Sequence, residues 1–338
     1  MSTRDSTGDA AARPLPSTVG WVLHALFRFV LILWLLPYAW SKLFLGQMGR
    51  LDYSAALYTV GEKSPMGLLW TFMAYSPVVQ FLAGLTELVV VLLLVFRRTA
   101  WLGGLVGVVA MGTVFLLNVV YDVPVKQMLL AATIGLALVA LPELPRTVRF
   151  MLGRPAGGTA GSPPLIPWPR IRVVTRWLSP AIGLLLVFAA GVGAFLVLPP
   201  PERSGLALPG VYRVVADPSP PAARLADDTR WQAVAFGQWG RDDRGQVTIR
   251  QANGDLTEGR YRPVRDGVVE VSLYPVLSGD RTFLREPVRS FELAWTVRPD
   301  GTVRLAGDGR ELVLASDPEL RYLIDRDFSW APRVPVNR

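Results

Sequence analysis

The chain has 338 residues, 51% of them hydrophobic, with no cysteine, a single histidine and a formal charge of +8. Without cysteine it forms no disulfide, performs no dithiol exchange and holds no cysteine-ligated iron–sulfur cluster. With His24 alone, bis-histidine haem ligation and the usual zinc sites are excluded too, so no metal site is expected.

Residues 1–19 mix Arg4 and Arg13 with Asp5 and Asp9 and read as a disordered cytoplasmic leader. The apolar run 20–44 that follows is too long for the core of a signal peptide, and no small-residue cleavage site succeeds it. About 20 apolar residues cross a bilayer as a helix, so this run is expected to be a span. Runs 78–96, 100–120 and 178–198 qualify on the same ground. Run 124–141 is slightly short and opens on proline, whose missing N–H costs nothing in a first helical turn. Five spans are therefore predicted. Between the first two, "GLLWTFMAYSP" (67–77) is apolar but too short to cross, and is expected to lie as an interfacial helix or to pack on the bundle. In the third span Ala100, Gly103, Gly104 and Gly107 have the small-residue spacing that lets a neighbouring helix approach closely.

Of the 35 basic and 27 acidic residues, 20 of each lie beyond residue 199, so the whole charge excess belongs to the apolar half. Its arginines gather at 97–98 and at Arg146, Arg149, Arg154, Arg170, Arg172 and Arg176. Basic loops stay in the cytoplasm. That places the N-terminus, the 97–98 turn and the 146–176 segment inside, and everything after 198 outside, with the five spans alternating consistently. The same distribution argues against a nucleic-acid partner and for the lipid bilayer as the basic half's environment. The expected organisation is a four-helix transmembrane domain at 20–152, a Gly/Pro/Arg linker at 153–177, a fifth span at 178–198 and an extracytoplasmic β domain at 199–338.

In that last region "VYRVVA", "WQAVAF", "QVTIR", "EGRYRPV", "VVEVSLY", "SFELAWTV", "TVRLA" and "ELVLAS" read as strands, and Asn253-Gly254, Asp266-Gly267, Asp300-Gly301 and Asp308-Gly309 supply hairpin turns. Short strands joined by tight turns predict an up-and-down antiparallel sheet, closed as a barrel or folded as a sandwich, with the barrel preferred. The fold class is thus a membrane α-helical bundle followed by an all-β antiparallel domain. The strands carry no histidine and no glycine-rich phosphate loop. Trp231, Trp239, Trp295 and Trp330 read as core and rim aromatics, with a ligand pocket as the alternative.

Polar residues inside predicted spans are costly and so become candidates for function or pairing. They are Arg28, Lys42, Glu87, Asn118, Asp122 and Lys126. At 1.5 Å per residue, Arg28 lies about 12 Å from the inner end of span one and Glu87 about 15 Å from Arg97. Their similar depth predicts an Arg28–Glu87 ion pair, with Gln80 on the face of Glu87 and Lys42 on nearly the face of Arg28. Asn118 and Asp122, spaced i to i+4, are expected to face Lys42 or Lys126. All three lysines, Lys42, Lys63 and Lys126, fall on the outer side, which suggests a cationic site for an anion or a quinone carbonyl.

Three segments, "RFVLILWLLPYAWSKL" (28–43), "GLTELVVVLLLVF" (84–96) and "NVVYDVPVKQMLLAATIGLALVALPELPRTVRFM" (118–151), together resemble the DoxX-like family of four-helix bacterial membrane proteins. The likeness covers roughly residues 20–152, with Arg28, Lys42 and Glu87 at the family's motif positions; the tail "DFSWAPRVPVNR" (327–338) resembles the end of an extra domain found in some members. The resemblance implies a bacterial cytoplasmic membrane protein associated with redox work. With no cofactor in the chain itself, electron transfer would need a bound quinone or a redox partner subunit. Three functional readings follow: an accessory or assembly subunit whose outer domain binds a protein or ligand; a quinone-linked oxidoreductase with Arg28, Glu87 and Lys42 as its catalytic groups; or a conduit for small solutes or ions. A homo-oligomer is compatible with each.

Overall fold

The computed structural model describes residues 15–155, 169–241, 243–274, 286–326 and 329–334. Most of the leader, the centre of the Gly/Pro linker and the last residues of the tail lie outside them. The chain forms two compact units, one of Met1–Phe44 and Phe81–Leu198, the other of Leu45–Gln80 and Pro199–Arg338. The sequence places residues 45–80 in the transmembrane domain; the fold instead assigns them to the β unit.

The first unit is helical. Its main elements are α1 (Leu15–Leu43), α3 (Pro77–Val95), which begins in the other unit, α4 (Ala100–Val120), α5 (Lys126–Ala140) and α7 (Pro169–Val197). Five helical stretches are long and apolar enough to cross a membrane: within α1, α3, α4 and α7, and the continuous stretch Lys126–Met151 that α5 opens. A short helix α6 (Leu144–Met151) follows α5. The glycines of α4 explain the packing. A Cβ on Gly103 would lie 3.1 Å from Leu94 N on α3, and one on Gly104 would lie 2.7 Å from Leu136 O on α5. Two adjacent glycines thus let α4 meet both neighbours at backbone distance, as the small-residue spacing predicts. The fifth apolar helix is part of the same unit. α7 presents Gly183 to Val95 and Gly191 to the Trp40 ring, and Trp40 Nε1 donates to Val187 O at 3.2 Å. Leu31, Leu35, Val91, Leu94, Leu136 and Val139 are buried at the centre.

The second unit is an antiparallel barrel of eight strands: β2 (Gly210–Ala216), β3 (Trp231–Arg241), β4 (Arg244–Gln251), β5 (Leu256–Arg265), β6 (Val268–Tyr274), β7 (Arg289–Val297), β8 (Val303–Gly307) and β9 (Arg310–Ser316). Each of the eight strand segments read from the sequence is present. Closure comes from β2, which pairs with β9 on one side and β3 on the other, while β3 also pairs with β4. A two-residue strand β1 (Glu202–Arg203) adds to the end of β3. The β8–β9 hairpin turns on Asp308 and Gly309, both at positive φ (54° and 71°), the geometry that Asp-Gly favours. Alternate residues fill the interior, among them Phe236, Ile249, Tyr261, Val271, Leu305 and Leu314. An eight-stranded barrel is just wide enough for its side chains to fill, and this one is filled.

Residues 45–80 cover the barrel's outer wall. Val234 and Phe236 point inward, so Ala233 and Ala235 face outward, and their small size leaves room for Tyr53 and Leu57, with which they form a second buried cluster. The predicted short apolar helix exists as α2 (Pro65–Tyr75), N-capped by Ser64. It belongs to this unit, where Ala74 O accepts from Leu51 N at 2.9 Å.

Candidate functional site

The most buried charges of the helical unit are Lys42 and Glu87. Lys42 Nζ lies 2.7 Å from Glu87 Oε1 and 2.9 Å from Oε2, and the two side chains are only 5% and 3% exposed. The approach depends on Gly84, one turn before Glu87. A Cβ there would lie 2.8 Å from Lys42 Cβ and 2.9 Å from Ala39 O, so α1 and α3 touch at their backbones. The Tyr38 ring, one turn before Lys42, stands 5.8 Å from Nζ.

This corrects the expected Arg28–Glu87 pair, and helix register gives the reason. From Lys42 back to Arg28 is fourteen residues, about 21 Å along α1, whereas α3 continues only eight residues, about 12 Å, beyond Glu87. Arg28 therefore lies past the end of α3, level with the α3–α4 turn. Measuring depth from residue 20 overlooked that α1 begins at Leu15 and outruns its neighbour. Gln80 does not extend a polar seam either, since its side chain accepts from Met48 N at 3.1 Å and donates to Gly49 O at 2.9 Å.

The other candidates do not converge on this pair. Asp122, at a positive φ of 50°, forms an i,i+4 ion pair with Lys126, both partly exposed. Asn118 is buried near the end of α4, with its carbonyl accepting from Val123 N at 2.9 Å. Lys63 donates to Thr71 Oγ1 at 3.0 Å. Each of the three lysines thus has its own local partner, which removes the basis for a shared cationic site.

A bidentate ammonium–carboxylate pair holds two helices together, because removing either partner strands a charge in an apolar interior. Proton relay would need a further donor or acceptor, and among the described residues no other side chain hydrogen-bonds to either member. Neither these residues nor the rest of the described chain contains a group of acids and histidines able to hold a metal.

The β unit contains a buried carboxylate that the sequence reading passed over. Asp52 is 7% exposed and receives Gln238 N at 2.6 Å, Tyr53 N at 2.8 Å and Ser54 Oγ at 3.1 Å. It fills a notch in β3, where the register with β4 shifts between Phe236 and Gly240, and Gly237 leaves it room because any Cβ there would overlap Asp52 Oδ2. Burial pushes its pKa up to about 6, more than these donors pull it down. The same segment is fastened twice more. Glu62 pairs with Arg250 at 2.6 Å, which holds the Glu62 carboxyl down at about 2, and Tyr53 Oη donates to Asp325 Oδ1 at 2.8 Å. The alternation of alanines in "WQAVAFG" was the available signal, since a strand with small residues on its outer face awaits a cover.

The four tryptophans follow the core-and-rim reading. Trp231 is buried in the barrel, Trp239 lies 4.6 Å beneath the Arg50 guanidinium and Trp330 is exposed. Trp295 packs against the core and borders an open surface depression beside Pro263 and Arg265. Compared with family models, curated proteins and solved structures, the chain matches none of them.

Proposed function

We propose that this chain is an integral protein of a bacterial cytoplasmic membrane, a DoxX-like accessory or assembly subunit of a membrane redox system that displays a binding barrel on the extracytoplasmic side. Five apolar helices support the membrane assignment. The arginine distribution supports an N-terminus inside and the barrel outside. The observation that carries the accessory reading is the closed Lys42–Glu87 pair: the best-placed ionisable groups bind each other, and among the described residues no further side chain hydrogen-bonds to either. The filled barrel adds to it, because a partner or ligand would engage its outer surface, where Arg and Glu alternate in cross-strand pairs such as Arg262–Glu270 and Arg304–Glu311.

Gentle detergent extraction followed by mass spectrometry of proteins and quinones tests this. A co-purifying redox subunit, with quinone reduction absent from the isolated chain, is the expected result. Stoichiometric quinone in the isolated chain, with quinone reduction abolished by Glu87→Gln while the fold persists, would overturn it in favour of an oxidoreductase.

A further inference from the structure

At the C-terminal end of β3 the barrel unit holds an arginine that no acid balances. The half-buried Arg50 guanidinium lies over the Trp239 ring, 4.6 Å from its centroid. Among the described residues it has neither an ion-pair partner nor a hydrogen-bond acceptor, and its Nε is shut off from solvent. Strand register brings a second arginine to the same ring. Arg203 of β1 stands directly opposite Trp239, and residues paired in this way project from one face of a sheet with their Cβ atoms about 5 Å apart. Arg203 is exposed and, among the described residues, also without an acid partner. Its neighbour Glu202 stands opposite Gly240 and projects from the other face.

Chain from two of the apolar helices arrives beside this ring. Gln80, in the first turn of α3, accepts from Met48 N at 3.1 Å and donates to Gly49 O at 2.9 Å, immediately before Arg50. Pro199, two residues past the end of α7, accepts from Arg241 Nε at 2.7 Å, and Arg241 follows Trp239 by two residues on β3. If both helices are spans, these ends mark the outer headgroup level, where tryptophan is enriched. A guanidinium over an indole keeps its Nη groups as a planar fork that matches a phosphate. A partly desolvated cation without a counter-charge is costly, and an anion at the fork removes that cost. We propose that Arg50 and Arg203 bind the phosphate of an anionic phospholipid in the outer leaflet, with Trp239 orienting Arg50 among the headgroups. A free phosphate offers the same oxygens but has no acyl chains to hold it at this level.

The inference rests on the membrane reading, and the test separates the two. The full chain is placed in nanodiscs of phosphatidylcholine with phosphatidylglycerol, and retained lipids are counted by native mass spectrometry. Two arginines, each contributing about fivefold, predict a preference of about 30-fold for phosphatidylglycerol. Arg50→Gln and Arg203→Gln should each lower it about fivefold, and Trp239→Leu, which removes the platform under Arg50, about two- to fivefold. Arg224→Gln should leave it unchanged, because Arg224 caps a short turn tied to Asn253 at the far end of β4. Equal retention of the two lipids by the wild type overturns the site even if a variant fails to fold, and so does a preference that Arg50→Gln and Arg203→Gln both leave intact. Displacement of phosphatidylglycerol by inorganic phosphate would overturn the lipid assignment, because it would indicate a free-anion site. Release of the protein from membranes by alkaline carbonate would refute the membrane reading instead.

Discussion

Asp52→Asn replaces the barrel's buried carboxylate with a group of the same shape that does not titrate. In the folded chain Asp52 titrates at about 6, against about 3.9 for a free aspartate. The folded state therefore holds the proton more tightly than the unfolded state. The stability this provides is complete below about pH 4, falls as the pH rises to about 6 and is constant above that. Two pKa units correspond to about 3 kcal/mol. Denaturant unfolding of the full chain in detergent, followed by tryptophan fluorescence with Trp239 beside the site, gives the wild-type minus Asp52→Asn difference at each pH. Taking the difference cancels the titration of other carboxylates. It should decline by about 3 kcal/mol from pH 4 to pH 7. Gly237→Ala, whose methyl would occupy the position of Asp52 Oδ2, should remove the same pH dependence by expelling the carboxylate. A difference that stays flat, or that grows with pH, would refute the argument that burial outweighs the hydrogen bonds.

Gly84→Leu should separate α1 from α3, because even a Cβ meets Lys42 Cβ at 2.8 Å; a loss of about 1–3 kcal/mol in detergent unfolding is expected, and no loss would mean that the helices are not in backbone contact. Glu62→Gln should cost at most about 1 kcal/mol, since the Glu62 side chain is 38% exposed and solvent screens its pair with Arg250. The depressed Glu62 pKa makes this contribution present above about pH 4.5 and lost as the pH falls toward 2, so Glu62→Gln should match the wild type in acid and fall below it at neutral pH.

The strands were legible because alternation and Asn/Asp-Gly turns are local signals, and "TVRLA" and "ELVLAS" carry both. The apolar helices were legible by length, and the glycines of α4 by spacing. Partner choice within the helical unit was not, because depth counted from each helix's apparent start carries the error of that start. Depth counted from residue 20 made Arg28 level with Glu87, whereas the register set by the Lys42 contact puts Arg28 about 21 Å away along α1. Residues 45–80 were misassigned for a different reason. Their attachment depends on Asp52 meeting β3 across nearly 190 positions of chain, and no local pattern specifies such a contact.

The central claim, that Lys42 and Glu87 join two helices and carry no proton, is tested most directly by a double-mutant cycle in detergent unfolding. Glu87→Leu and Lys42→Met should each cost about 3–5 kcal/mol by stranding a buried charge, and the double variant should return to within about 1 kcal/mol of the wild type or exceed it. Full stability in either single variant, or additive losses in the double, would contradict the account.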